Sequence, residues 1–168
     1  MTYKEFLESK VELAIDRGFN VQPDKINKAL KPHQRDAVMW ALRGGCRALF
    51  ESFGLGKTIQ ELEFCHLAAE HENGRALIVL PLGVKQEFTR DAVRILGYEE
   101  PEYCRTMEEV ERSKSQIVLT NYERVRDGDI RPAYFAATSL DEASVLRSFG
   151  SKTYQTFWIS LKVCRISS

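Results

Sequence analysis

The sequence predicts an α/β fold, with a mainly parallel sheet and helices on both of its faces. Strand-like and helix-like segments alternate along most of the chain, and this order produces parallel strands joined by helices. The strand candidates are short continuous apolar runs, such as residues 76–80 and 117–119, which are typical of strands buried on both faces. A loop with two glycines follows another apolar run at residues 48–50, and ligands of parallel sheets bind at that end of the strands.

Each element is predicted from its apolar periodicity and from its ends. The helix that follows the glycine loop carries Ile59, Leu62, Cys65 and Ala69 at helical spacing. Gly18 ends the first helix, because glycine favours the end of a helix. In chain order the predicted elements are helix 3–17, helix 32–42, strand 47–50, helix 57–70, strand 75–81, helix 84–96, strand 102–105, helix 107–112, strand 116–121, strand 134–140 and helix 152–161.

The composition is that of an ordinary globular protein of 168 residues, which is long enough for one sizeable core. The 24 basic and 24 acidic residues cancel, so the net charge gives no bulk attraction to nucleic acid. No apolar stretch approaches the roughly 20 residues that span a bilayer, and no signal-peptide pattern opens the chain. The four cysteines are far apart, which favours buried thiols in a reducing cytoplasm over a zinc site or disulfides.

The segment 50–58, Phe-Glu-Ser-Phe-Gly-Leu-Gly-Lys-Thr, predicts a phosphate-binding loop. Gly54 and Gly56, which flank Leu55, allow a sharp turn that points backbone N–H groups at phosphate oxygens. The helix that begins near Lys57 adds the positive end of its dipole. The Lys57 ammonium is expected to reach the β- and γ-phosphates of a nucleotide.

Two adjacent carboxylates, Asp141 and Glu142, follow the predicted strand 134–140. In a parallel nucleotide-binding sheet this position lies beside the phosphate loop. Asp141 is expected to hold Mg²⁺ together with the Thr58 hydroxyl, and Glu142 to deprotonate the water that attacks the γ-phosphate. The structural alternative is an acidic first turn of the next helix, with Asp141 as its cap.

Gln34 lies in the segment 30–37, upstream of the phosphate loop. A glutamine amide offers both a donor and an acceptor, and it matches the N6 and N7 edge of adenine. The structural alternative for Gln34 is a solvated helix position.

Five ordered motifs make the chain resemble superfamily 2 helicases of the DEAD/DEAH type, and above all the Swi/Snf-like translocases and related bacterial and phage enzymes. The motifs are Leu-x-x-His-Gln at 30–34 with Trp40, Phe-Gly-Leu-Gly-Lys-Thr-Ile-Gln at 53–60, Ala-Leu-Ile-Val-Leu-Pro-Leu at 76–82, Ile-Val-Leu-Thr-Asn-Tyr-Glu at 117–123 and Asp-Glu-Ala-Ser at 141–144. The resemblance covers residues 28–168 and implies the first RecA-like lobe of a P-loop NTPase. Residues 1–27 are then an N-terminal helical extension.

The resemblance implies an ATP hydrolase that couples hydrolysis to movement on nucleic acid, with ATP and Mg²⁺ as cofactors. It implies that Gln34 recognises adenine, that residues 54–58 bind the phosphates, and that Asp141 and Glu142 serve hydrolysis. It also implies contacts to one nucleic-acid strand from Pro81, Leu82, Thr120 and Asn121. Contacts to sugar and phosphate carry little sequence information, so weak sequence specificity is expected. DNA is the expected partner rather than RNA, in a bacterial or phage-encoded cytoplasmic protein.

The motor of that family has two lobes, and this chain has the motifs of one. We expect the chain to be truncated before the Ser-Ala-Thr motif and to lack the second lobe with its arginine fingers. An isolated first lobe is expected to bind ATP weakly and to hydrolyse it hardly at all.

Two other functions compete with this interpretation. A small-molecule kinase shares the phosphate loop, but it usually needs a basic lid after the sheet, and the sequence offers none. A non-hydrolysing module that binds nucleotide or nucleic acid stays open, because the sequence of a lone lobe does not distinguish it from an enzyme part.

Overall fold

The computed structural model describes residues 18–45 and 56–141. These two ranges contain five α-helices and four β-strands. The helices are α1 (Pro32–Gly44), α2 (Lys57–His71), α3 (Lys85–Arg94), α4 (Met107–Arg112) and α5 (Tyr122–Arg126). The strands are β1 (Ala76–Val79), β2 (Glu102–Tyr103), β3 (Ile117–Thr120) and β4 (Ala137–Leu140). Short 3₁₀ turns lie at Pro23–Lys25, Leu82–Val84 and Pro132–Tyr134. None of these helices is long and apolar enough to cross a membrane.

The four strands form one parallel sheet in the order β2-β3-β1-β4. Val79, at the end of β1, pairs with Thr120 on one side and with Leu140 on the other. Three strands therefore end at the same level. The residues that follow them, Leu80, Asn121 and Asp141, lie along one edge of the sheet, where parallel sheets bind ligands.

Helices cover both faces of this sheet, because the side chains of each strand alternate between two apolar clusters. On one face the side chains of Ala76, Ile78 and Leu119 pack with those of helices α1, α2 and α3. On the other face Leu77, Val79 and Val118 pack with residues of α4 and α5. Strands β1 and β3 are consequently buried over their whole length, as their continuous apolar sequence predicts.

The α/β class and the parallel sheet are confirmed. The structure begins and ends most elements within a few residues of their predicted bounds. The helix predicted at 84–96 is shorter, at Lys85–Arg94, because a 3₁₀ turn occupies Leu82–Val84. The strand predicted at 134–140 begins later, at Ala137, because a 3₁₀ turn occupies Pro132–Tyr134. The predicted helices 3–17 and 152–161 and the predicted strand 47–50 lie outside the described residues.

A polar network attaches the segment before α1 to the back of α2. The fully buried Glu63 carboxylate accepts a hydrogen bond from the Asn27 backbone N–H at 2.8 Å and another from the Tyr98 hydroxyl. The Asn27 side chain donates in turn to the Leu96 carbonyl at 2.8 Å. Burial and the Glu63 hydrogen bond raise the pKa of Tyr98. This network fixes the chain that leads into α1 and therefore the position of Gln34.

Candidate nucleotide-binding site

Helix α2 begins at the glycine that the sequence places at the end of the phosphate loop. Gly56 is the N-cap residue and has φ 73° and ψ 37°, in the left-handed region that favours glycine. Lys57 is the first residue of the helix. Its side chain therefore starts at the end of the helix where the N–H groups of the first turn form the positive end of the dipole. Gly54 and Leu55, also predicted to bind phosphate, lie outside the described residues.

Gln34 lies directly against this turn, although 22 positions of sequence separate it from Gly56. A Cβ atom at position 56 would lie 2.3 Å from Gln34 Nε2, so any other residue at this position would require the Gln34 amide to shift. Gln34 is buried, and its Oε1 accepts the Lys31 backbone N–H at 2.8 Å, which caps helix α1.

Thr58 contacts a carboxylate from the neighbouring helix. Its Oγ1 donates to Glu87 Oε1 at 3.2 Å, and Glu87 lies in the first turn of α3. A hydroxyl that donates its hydrogen keeps its lone pairs, so the Thr58 oxygen still fits the role of a Mg²⁺ ligand. The acceptor carboxylate would orient those lone pairs, as outer-shell partners do at metal sites.

Glu61 lies one helical turn after Lys57, between the two parts of the predicted site, which are the start of α2 and Asp141. Its carboxyl group is buried, and Glu61 Oε1 accepts a hydrogen bond from Ser139 Oγ of β4 at 2.7 Å. Burial raises the pKa of Glu61 from its ordinary value of 4.5 to about 8. The Ser139 hydrogen bond and the Lys57 ammonium act to lower that pKa, and the Asp141 carboxylate acts to raise it. Lys57 and Asp141 are thus close enough to Glu61 for both charges to act on one carboxyl group.

The backbone of Asp141 is held at the end of β4 from two sides. Its N–H donates to the Val79 carbonyl at 2.9 Å, and its carbonyl accepts the Tyr122 hydroxyl. Tyr122 opens helix α5 directly after Asn121, so it connects the ends of β3 and β4. Glu142, the predicted general base, lies outside the described residues. Within residues 18–45 and 56–141 no cluster of three or more His, Cys, Asp or Glu side chains could hold a metal ion.

The four residues expected along nucleic acid differ in exposure. Leu82 is 56% exposed and Pro81 is half-buried, at the 3₁₀ turn that leads into α3. Thr120 is fully buried, and its hydroxyl donates to the Cys104 carbonyl at 2.8 Å. The Thr120 side chain therefore lies in the interior beside the residue that follows β2, and a contact from Thr120 to nucleic acid stays a prediction. Asn121 is 8% exposed, and its Oδ1 has no hydrogen-bond partner among the described residues.

Solved structures share this architecture across most of the chain. The UvsW helicase from bacteriophage T4 matches with a TM-score of 0.65 and 15% identity, over 98% of this chain and 58% of that one. A second structure of T4 UvsW matches with a TM-score of 0.66 and 17% identity, over 98% of this chain and 33% of that one. The Sulfolobus solfataricus SWI2/SNF2 ATPase core in complex with dsDNA matches with a TM-score of 0.62 and 20% identity, over 82% of this chain and 31% of that one.

The chain has the RecA-like fold of these helicase and ATPase cores. No family model matches the sequence, and no curated protein sequence matches it. The resemblance stated from the ordered motifs is confirmed at the level of the fold. This RecA-like chain spans between about a third and 58% of the solved chains it matches.

Sequence reasoning missed two acidic residues of the site in this RecA-like domain, Glu61 and Glu87. Both appear in the sequence as ordinary charges on amphipathic helices, which usually face water. One signal was available for Glu61, since it lies four residues after Lys57 and hence on the same face of α2. Nothing in the sequence indicates Glu87, because its contact with Thr58 depends on how α3 packs against α2.

Proposed function

We propose that the chain is the ATP-binding lobe of an ATP-dependent DNA helicase or translocase. The proposal rests on the RecA-like fold, on the ordered motifs and on the arrangement at the ends of the strands. The single observation that carries it is the hydrogen bond from Ser139 Oγ to Glu61 Oε1 at 2.7 Å, which joins the helix that begins at Lys57 to the strand that precedes Asp141. Lys57 and Asp141 are 84 positions apart, and each was assigned to nucleotide chemistry from its own motif.

In this proposal each residue of the site has one task. Lys57 and the first turn of α2 bind the phosphates, and the Gln34 amide binds the adenine edge. Thr58 and Asp141 hold the metal, and Glu142 takes the proton of the attacking water. The bound Mg²⁺ supplies charge stabilisation at the β- and γ-phosphates.

The turn at Pro81 and Leu82 and the turn at Asn121 are the proposed nucleic-acid contacts. Both follow strands that end beside the nucleotide site, so one edge of the sheet serves both ligands. The Swi/Snf-like motifs favour duplex DNA. The proposal also assigns the chain to a reducing cytoplasm, in keeping with the buried thiols of Cys65 and Cys104.

Nucleotide binding by the full chain tests the proposal. A fluorescent ATP analogue is titrated in Mg²⁺ against the wild type, Lys57→Ala and Lys85→Ala. The Lys85 ammonium lies 4.9 Å from the centre of the Tyr103 ring and serves as a control of equal charge on another helix. We expect Lys57→Ala to abolish binding and Lys85→Ala to leave it unchanged, because only Lys57 faces the phosphates. Equal affinity in the wild type and in Lys57→Ala would refute the phosphate loop.

A further inference from the structure

Glu61 is a buried acidic residue for which the proposed ATPase chemistry has no task. Helix α2 packs on the sheet through apolar and small side chains, among them Leu62, Cys65 and Ala69. A carboxyl group in the same interface carries a desolvation cost of several kcal/mol unless it is protonated or bonded. Side chains that break the apolar pattern of a core tend to mark functional sites. Glu61 is therefore a position on α2 that calls for a functional explanation.

The contacts of Glu61 join the two elements that carry the nucleotide site. It lies one turn after Lys57, and it accepts a hydrogen bond from the Ser139 hydroxyl of β4, the strand that directly precedes Asp141. Ser139 lies two residues before Asp141, so it points to the same side of β4 as the Asp141 position. The hydrogen bond spans 78 positions of sequence and connects helix α2 to β4 close to both charged residues.

We propose that Glu61 is a positioning residue of the nucleotide site, which sets the placement of Asp141 relative to Lys57 by joining α2 to β4 through Ser139. The inference rests on the proposed function. Glu61 does not touch the nucleotide in this role, and it acts on Mg²⁺-dependent binding through the two residues that it aligns. A negative charge is not needed for the task, because a neutral carboxyl group also accepts the Ser139 hydrogen bond.

The raised pKa of Glu61 agrees with a neutral role. With a value of about 8, the carboxyl group is mainly protonated at pH 7. Glu61→Gln then keeps size, neutrality and the acceptor oxygen, whereas Glu61→Leu keeps only the packing. Ser139→Ala removes the same hydrogen bond from the other side. Together these three variants distinguish the effect of the hydrogen bond from the effects of the charge and of side-chain packing in the interface.

The readout is the Mg²⁺-dependent gain in affinity, which is the ratio of the dissociation constants of a fluorescent ATP analogue in EDTA and in Mg²⁺. We expect Glu61→Leu and Ser139→Ala to reduce this ratio by about fivefold to tenfold, as the loss of one hydrogen bond suggests. Glu61→Gln should stay within about twofold of the wild type. The double variant Glu61→Leu/Ser139→Ala should lose no more than either single variant, because both remove the same link.

Glu63→Gln is the matched control, since it changes another buried carboxylate of the same helix on the side of the Tyr98 network. It should lower thermal stability and leave the Mg²⁺-dependent ratio unchanged. Circular dichroism verifies that each variant is folded at the assay temperature, and Ser139→Ala carries the test if Glu61→Leu does not fold. An unchanged ratio in Ser139→Ala or in folded Glu61→Leu would overturn the inference alone. Absence of nucleotide binding by the wild type would overturn the proposed function and this inference with it.

Discussion

At the scale of single residues, the two ends of Gln34 have different tasks. The carbonyl oxygen already caps helix α1 through Lys31, and the amide nitrogen lies against Gly56. One amide therefore stabilises the start of helix α1 and lies against the turn at Gly56. In the proposed function the same amide also binds adenine.

Gln34→Ala separates these tasks. We expect it to weaken ATP more than inorganic triphosphate, because only ATP loses an adenine contact, with a difference of roughly 1–3 kcal/mol for a pair left unsatisfied. The lost cap lowers stability by about 0.5–2 kcal/mol and affects both ligands alike. Competition titrations against a fluorescent ATP analogue give both affinities. If the two ligands weaken equally, Gln34 is structural and the adenine assignment is wrong.

Glu61 predicts a pH dependence of stability. Its pKa is raised from 4.5 in an ordinary environment to about 8 in the folded chain, so the folded state binds more protons between these values. Its contribution to stability is complete below pH 4.5 and is lost as the pH rises through 8. The slope is at most about 1.4 kcal/mol per pH unit.

Glu61→Gln should remove this slope. Urea unfolding of the wild type and of the variant at several pH values from 5 to 8.5 gives the difference in the free energy of unfolding. We expect that difference to shift in favour of the variant as the pH rises. Parallel curves would show that Glu61 does not change its protonation over this range.

At the scale of elements, the strands were the most predictable part of the fold. Strands β1 and β3 are continuous apolar runs in the sequence, and burial on both faces is the physical reason for that pattern. Helix α5 was not predicted, because its five residues, Tyr122–Arg126, are too few to show a period. The contacts of Glu61 and Glu87 could not be predicted from the sequence, for another reason. They depend on how helices pack against their neighbours, which the local sequence does not determine.

The network around Glu63 makes helix α2 an anchor for the segment before α1. Glu63→Leu would leave the half-buried Asn27 N–H and Tyr98 hydroxyl without their acceptor, at a cost of at most about 1–3 kcal/mol for each group. We expect a clear loss in the urea midpoint of unfolding. Tyr98→Phe, which removes one partner and keeps the ring, should cost less. A midpoint in Glu63→Leu equal to that of the wild type would show that the network does not contribute to stability.

At the scale of the whole molecule, the chain spans only part of the solved structures whose fold it shares, from 31% to 58% of their length. In related phosphoryl transfer an arginine supplied across the site is worth about 10³–10⁵ in rate. We therefore expect the 168-residue chain alone to turn over ATP near background, with little stimulation by DNA. The charge that develops on the γ-phosphate in the transition state would face water. DNA would contact only half of the binding surface that two lobes provide.

A phosphate-release assay with and without duplex DNA measures this activity. Addition of a second lobe in a longer chain should restore DNA-stimulated hydrolysis, and Glu142→Gln in that chain should remove it. Strong DNA-dependent hydrolysis by the 168 residues alone would contradict the expectation and would indicate that copies of the chain complete the site for one another.

In the proposed function, the hydrogen bond from Thr58 to Glu87 would link the metal site to the start of the nucleic-acid surface. Glu87 lies in the first turn of α3, directly after the turn that contains Pro81 and Leu82. If DNA at that turn moves α3, the Thr58 hydroxyl loses or gains its orienting partner and the affinity for Mg²⁺ changes. Binding equilibria are reciprocal, so Mg²⁺ must then change the affinity for DNA by the same factor. A single exposed hydrogen bond between two helices would thus couple Mg²⁺ binding and DNA binding in both directions.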